Sequence, residues 1–216
     1  MTRVRVRQHV NPLSSKYQIP LTPPDWRQIY ADPQQPLHLD IGCARGRFIL
    51  EMAQLQPQRN FLGLEIREPL VTEANHQRDE LKLPNLHYLF CNVNISLSIL
   101  LESLPDRVLD CVTIQFPDPW FKKRHVKRRV VQPELVEELA RSLPGSATVF
   151  LQSDVEAIAT EMREQFQQYP QFSQKHPEQW LEKNPFPVTT ERERATFAKG
   201  EPVYRCSFFK ENENEN

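Results

Sequence analysis

LHLDIGCARGRF, residues 37–48, runs from an alternating apolar stretch through a turn bearing Gly42 and Gly46 into a helical pattern. Leu37 to Ile41 has the composition of a strand, and Phe48, Ile49 and Met52 fall on one face of a helix predicted over 45–54. A second strand follows over Asn60 to Ile66, completing a strand–helix–strand unit whose crossover joins parallel strands. Outward from this unit the alternation continues. A helix is predicted over 69–81, a strand over 86–91, a short helix from Ser96 and a strong strand over 109–116. Then come a helix over 132–142, a Pro144-Gly145 turn, a strand over 147–152 and a helix over 155–169. Residues 170–188 are interrupted by proline, and the aromatic-rich Val203 to Phe209 is predicted as part of an antiparallel edge. The pattern is that of an α/β domain built on a mostly parallel sheet.

The 216 residues suffice for one ordinary domain. Residues 1–35, rich in proline and polar groups, are expected to form an arm, residues 36–210 the folded domain, and 211–216, the terminal ENENEN, a disordered tail. No stretch approaches the ~20 apolar residues of a membrane span, and MTRVRVRQHV lacks the apolar core of a signal peptide, so the expected location is the cytoplasm, with no membrane partner. Cys43, Cys91, Cys111 and Cys206 are isolated, with neither metal-ligand nor disulfide-framework spacing, so no metal site is expected. The net charge is only −1, but it is unevenly spread: KKRHVKRR, residues 122–129, carries six Lys/Arg, and Arg3, Arg5 and Arg7 alternate at the N-terminus.

The chain has five glycines, and three of them, Gly42, Gly46 and Gly63, fall in the first strand–helix–strand unit. The spacing Gly42-x-x-x-Gly46 is not the GxGxxG that brings a pyrophosphate onto a helix N-terminus, which disfavours a dinucleotide enzyme. Acidic residues close the first two strands: Asp40 in the turn and Glu65 in FLGLEIR. Each alone reads as a helix cap or a solvated strand end. Together they suit a ligand offering an ammonium group and ribose hydroxyls, such as S-adenosylmethionine.

QFPDPWFKKRHVKRRVV, residues 115–131, is the most specific stretch. Asp118 sits between two prolines directly after the fourth strand, which holds its carboxylate in a stiff turn at the edge occupied by Asp40 and Glu65. Trp120 and Phe121 offer surface to a nucleobase. Lys122, Lys123, Arg124, Lys127, Arg128 and Arg129 offer phosphate contacts, with Arg3, Arg5 and Arg7 as further candidates. A solvated basic face is the plainer account of such a run, but its place beside the Asp118 turn favours an RNA partner. A lone His125 in a basic run is incidental.

DIGCARG resembles the first motif of class I S-adenosylmethionine-dependent methyltransferases, acidic-x-Gly-x-Gly-x-Gly, with Ala44 where the central glycine is expected. FPDPWxKKRHxKRR, with that motif, closely resembles the bacterial tRNA (guanine-N7-)-methyltransferases, and the resemblance covers about residues 36–210. It implies a doubly wound, mostly parallel seven-stranded Rossmann-like sheet with an antiparallel edge. It implies methyl transfer from S-adenosylmethionine, leaving S-adenosylhomocysteine, to N7 of the variable-loop guanine of tRNA. Asp40, Gly42, Gly46, Glu65 and Asn92 fall on cofactor-binding positions, Asp118 on the proposed catalytic one, and Lys122, Asp154, Thr190 and Glu193 on substrate-binding ones. Read without the family, Thr190 to Glu193 is a capping box opening a short helix. Guanine N7 carries an unprotonated lone pair at neutral pH, so Asp118 is expected to orient the base rather than to remove a proton. The alternatives are a class I methyltransferase acting on another RNA or on protein, and an RNA-binding protein with an inactive cofactor pocket. Monomer and homodimer both remain open.

Overall fold

The computed structural model describes residues 10–174 and 176–212; Arg3, Arg5 and Arg7 and the last four residues of the tail lie outside the described residues. Seven strands form one sheet: β1 (Leu37–Ile41), β2 (Asn60–Glu65), β3 (Leu86–Phe90), β4 (Leu109–Gln115), β5 (Thr148–Ser153), β6 (Phe172–Ser173) and β7 (Tyr204–Lys210). Their order is β3-β2-β1-β4-β5-β7-β6. The first five are parallel, β7 runs antiparallel to β5, and β6 antiparallel to β7. The chain winds outward through β2 and β3, then returns to place β4 on the other side of β1. That reversal opens a crevice at the carboxyl ends of β1 and β4, where ligands bind in open α/β sheets.

Seven α-helices accompany the sheet among the described residues: α1 (Trp26–Ile29), α2 (Arg47–Leu55), α3 (Glu68–Glu80), α4 (Val93–Ser103), α5 (Pro133–Ser142), α6 (Glu156–Gln167) and α7 (Glu191–Phe197). All of β1 and β2 is buried because both faces are covered. One apolar layer joins Phe48, Ile49 and Met52 of α2 to Phe61, Tyr88 and Val71; the other joins Leu100 of α4, Leu139 of α5 and Met162 of α6 to Leu39, Val112 and Val149. Among the described residues, no helix is long and apolar enough to cross a membrane.

Two helix starts differ from the sequence expectation for local reasons. The α2 helix begins at Arg47 rather than Arg45 because Gly46, at φ +69°, still belongs to the turn. The α4 helix begins at Val93 rather than Ser96 because Asn92 caps it, its Oδ1 accepting from the Asn94 N–H at 3.2 Å. Upstream of residue 36 the chain packs on the same core. Trp26 and Tyr30 are buried and stacked 5.9 Å apart. The Tyr30 hydroxyl donates to the Phe61 carbonyl at 3.0 Å, and the Trp26 indole to Ser103 Oγ at 3.1 Å. Two aromatic residues that bury apolar area and satisfy their polar tips are enough to dock a Pro-rich segment.

Candidate active site

The turn after β1 uses its two glycines differently. At Gly42, φ is +79° and a Cβ would meet nothing within 4 Å, so this glycine leaves open space on the crevice side. At Gly46 a Cβ would lie 2.2 Å from the Tyr88 ring, whose hydroxyl donates to the Gly46 carbonyl at 2.8 Å. Gly46 therefore lets the turn close onto β3. Ala44, between them, has φ 52°, a left-handed conformation costly for a residue with a Cβ. Its N–H donates to Glu65 Oε2 at 2.9 Å, which ties the strained turn to the end of β2.

Asp40 is buried beneath this turn. Its Oδ1 accepts from the Thr113 hydroxyl at 2.6 Å and from Gln115 Nε2 at 3.3 Å, while Oδ2 takes no hydrogen bond among the described residues. Burial pushes the Asp40 carboxyl up to about 6; the bonds from Thr113 and Gln115 oppose that rise and the charge of Glu65 adds to it. Under Thr113 lies His38, fully buried with its Nε2 3.1 Å from the hydroxyl, and burial lowers its pKa to about 3, so it stays neutral.

Glu65, also buried, is fully engaged. Oε1 accepts from the Arg67 N–H at 3.0 Å and Nε at 2.8 Å, and Oε2 from an Arg67 terminal nitrogen at 2.9 Å as well as from Ala44. Burial works against the Arg67 charge, yet the bonds and charge of Glu65, followed by the charge of Asp118, raise its pKa above the ordinary value. Arg67 thus stands within electrostatic reach of both acids. No sequence motif marks Arg67; its signal is its position two residues after Glu65. Asn92 is buried, and its Nδ2 donates to the carbonyls of Pro12 at 3.1 Å and Tyr17 at 3.2 Å. Expected at a cofactor-binding position, the Asn92 amide here anchors the N-terminal segment.

Asp118 occupies an exposed turn directly after β4. Phe116 (φ 50°) and Trp120 (φ 42°) flank it, so the Pro-Asp-Pro unit is bounded by two left-handed residues. The basic run divides into two sets. Lys122, Lys123, Arg124 and Lys127 stand in solvent, on and beside a 3-10 helix over Lys123–Arg128, together with exposed Phe121. Arg128 lies over the Trp120 ring, 5.0 Å from its centre. Arg129 turns inward: its Nε donates to the Pro119 carbonyl at 2.9 Å, another nitrogen to Trp120 O at 3.3 Å, and it pairs with Glu161 on α6. Expected as a phosphate contact, Arg129 instead clamps the Asp118 turn, its guanidinium satisfying the Pro119 and Trp120 carbonyls.

The remaining substrate positions gather around α7. Asp154 accepts from Arg192 Nε at 2.7 Å and Thr196 Oγ1 at 3.4 Å. Thr190 Oγ1 accepts from the Glu193 N–H at 3.1 Å, one half of the expected capping box. The other half is missing, because the Glu193 carboxylate turns inward to a buried pair with Arg205 at 2.7 Å and also accepts from Asn184 at 2.8 Å. At 1% exposure, Glu193 supports its helix from within rather than facing solvent. Asp40, Glu65 and Asp118 converge on one sheet edge, since Gln115, three residues before Asp118, touches Asp40.

A family model described as a putative methyltransferase matches residues 34–206. The chain is 62% identical to a tRNA (guanine-N(7)-)-methyltransferase of Microcystis aeruginosa, over 96% of this chain and 99% of that one. It is also 62% identical to the protein of the same name from Trichormus variabilis, over 95% of each. Among solved structures, the 16S rRNA methyltransferase KamB aligns over 86% of this chain and 92% of its own with a TM-score of 0.57 at 16% identity. A precorrin-6y methyltransferase from Geobacter metallireducens aligns over 82% of each chain with a TM-score of 0.52 at 14% identity; these two speak for the class I methyltransferase fold alone. With the family model spanning most of the chain and relatives this similar over nearly its whole length, the chain belongs to the tRNA (guanine-N(7)-)-methyltransferase family.

Proposed function

We propose that this protein transfers a methyl group from S-adenosylmethionine to N7 of the variable-loop guanine of tRNA. The observation that carries the reading is the meeting, at one sheet edge, of two buried carboxylates that suit a small cationic nucleoside with an exposed, clamped acid flanked by cations. The cofactor side fits: Gly42 leaves open space, Asp40 offers an unbonded Oδ2 for the ammonium group, and Glu65 can exchange Arg67 donors for ribose hydroxyls. When bound, S-adenosylmethionine supplies an electrophilic methyl group on a sulfonium sulfur.

Chemistry at guanine N7 forms a nitrogen–carbon bond as the sulfur–carbon bond breaks. The positive charge passes from sulfur to the purine ring, and no proton has to leave. The protein's task is alignment, and fixing the reacting atoms within a near-attack geometry accounts for much of the acceleration. Asp118, held by Arg129 and bounded by Phe116 and Trp120, accepts from the guanine N1–H and 2-amino group and offsets the developing positive charge. Phe121 offers a stacking surface, and Lys122, Lys123, Arg124 and Lys127 hold the phosphates. Arg128 and Arg129 keep the turn in shape. Asp154, Thr190 and Glu193 position α7 beside the base.

The test is transfer of labelled methyl groups to a tRNA transcript, with the site mapped by borohydride and aniline cleavage, alongside a transcript whose variable-loop guanine is adenine. Cleavage at that guanine alone supports the reading. Incorporation at another base retains the chemistry and discards the substrate, and salt-sensitive binding without incorporation reduces the protein to an RNA-binding module.

A further inference from the structure

Beneath the crevice a single file of side chains crosses the carboxyl ends of β1, β4 and β5 and the amino end of the antiparallel β7. Arg205 on β7 donates from Nε to Gln152 Oε1 at 3.2 Å. Gln152 on β5 donates from Nε2 to Gln115 Oε1 at 2.7 Å, and Gln115 on β4 donates from Nε2 to Asp40 Oδ1 on β1 at 3.3 Å. Gln152 is fully buried, Arg205 is 3% exposed and Asp40 is 3% exposed. Each amide in the file has one acceptor and one donor end, so its direction is not free. A guanidinium can only donate and a carboxylate can only accept, and these two charged ends force both amides to point the same way.

Arg205 is itself held. Its terminal nitrogen pairs with Glu193 Oε1 at 2.7 Å, and Gln152 Nε2 also approaches Glu193 Oε2 at 3.4 Å. The file therefore starts at a buried ion pair under α7 and ends on the Asp40 oxygen that Thr113 also grips. With Oδ1 taking both bonds, the carboxylate cannot rotate without losing them, and Oδ2 is the oxygen left to a ligand.

We propose that Gln115 and Gln152 are positioning residues for the amino-acid end of the cofactor: together with Arg205 they form a polarised amide chain that locks Asp40 Oδ1 and presents Oδ2 to the ligand ammonium group. The assignment rests on the reading of the crevice as the S-adenosylmethionine site. It adds two residues that do not touch the reacting atoms and to which the sequence motifs assign no role. It also makes the antiparallel edge, through Arg205, a determinant of cofactor geometry 165 positions away in the chain from Asp40.

The test compares two nucleosides by calorimetry on the full chain. S-adenosylhomocysteine carries the amino-acid end, and methylthioadenosine lacks it. Gln115→Met should weaken S-adenosylhomocysteine about tenfold, as expected when one bond to a charged group is lost, and leave methylthioadenosine unchanged. Gln152→Met should show the same selectivity with a smaller loss. Gln152→Glu should exceed Gln152→Met, because a carboxylate there can accept from Arg205 but cannot donate to Gln115, which turns its carbonyl toward Asp40. Thermal melts identify any variant that fails to fold, and Gln115→Met, altering a half-buried residue, then decides alone. Equal weakening of both nucleosides, or of neither, overturns the proposal. A wild-type chain that binds neither nucleoside overturns the cofactor reading instead.

Discussion

Asp40 and Glu65 are 3% and 4% exposed, with Thr113, Gln115, Arg67 and Ala44 already bound to them, whereas Asp118 and the cations from Lys122 to Arg124 stand in solvent at the same edge of the same sheet. The first pair lies at the ends of central strands that the core makes rigid, and its chemistry is set by desolvation and by the direction of each hydrogen bond. The second lies on a turn and a single 3-10 helix, and its chemistry is set by charge density. A small cofactor needs an enclosed site with few, well-aimed groups. A folded polyanion needs many cations that can meet phosphates wherever they fall.

The contrast is sharpest at Asp118, where the two regions join. Asp118→Asn should lower turnover by about 100-fold or more while S-adenosylhomocysteine and tRNA bind as before, measured by single-turnover transfer beside equilibrium binding. Unchanged turnover would remove Asp118 from the mechanism and leave the two regions without a common point. Arg129→Met should lower turnover roughly tenfold without changing the salt dependence of tRNA binding, because Arg129 serves backbone carbonyls and Glu161 rather than phosphate. A reduced salt slope would return Arg129 to the phosphate set.

Acid should act on the buried region first. The Asp40 carboxyl, raised to about 6, is protonated in the free protein as pH falls through that value, and a neutral acid cannot pair with an ammonium group. S-adenosylhomocysteine affinity should therefore fall by up to about tenfold per pH unit below about 6, as read by calorimetry. Stability moves the other way for this group. Its folded pKa exceeds the ordinary 3.8, so the contribution it makes is complete below about 4 and is lost as pH rises through about 6. An affinity flat from pH 5 to about 8 would mean that Asp40 does not meet the ammonium. The smallest effect belongs to Ala44→Gly. Relief of the left-handed alanine outweighs the greater freedom of glycine in the unfolded chain, for a gain of about 0.5 kcal/mol in a denaturant melt.

The same two regions differ in how far they could be read from sequence. The strand–turn–helix unit was legible because apolar periodicity and glycine placement are local, and β1, β2 and β4 fall within a residue of expectation. The placement of Asp40, Glu65 and Asp118 at or just after the carboxyl ends of strands was legible for the same reason. Their partners were not. Arg205 and Gln152 reach the site through an antiparallel pairing of β5 and β7 that has no local signature. The inward turn of Arg129 depends on Glu161, 32 residues later on α6. A run of cations shows its charge in one dimension and its sorting only in three. Glu193 shows the same limit: its spacing from Thr190 satisfies a capping box, and Thr190 does cap the helix, but a buried arginine competes for the Glu193 carboxylate and wins.

The most direct test of this division is to follow tRNA and S-adenosylhomocysteine binding in parallel across a salt series from about 50 to 500 mM. The tRNA affinity should fall along a log–log slope of several units, lowered by about one for each of Lys122→Ala, Lys123→Ala and Arg124→Ala, while the nucleoside affinity stays nearly constant. A tRNA affinity indifferent to salt, or a nucleoside affinity that falls as steeply, would contradict the account of one buried and one exposed recognition surface on a single sheet edge.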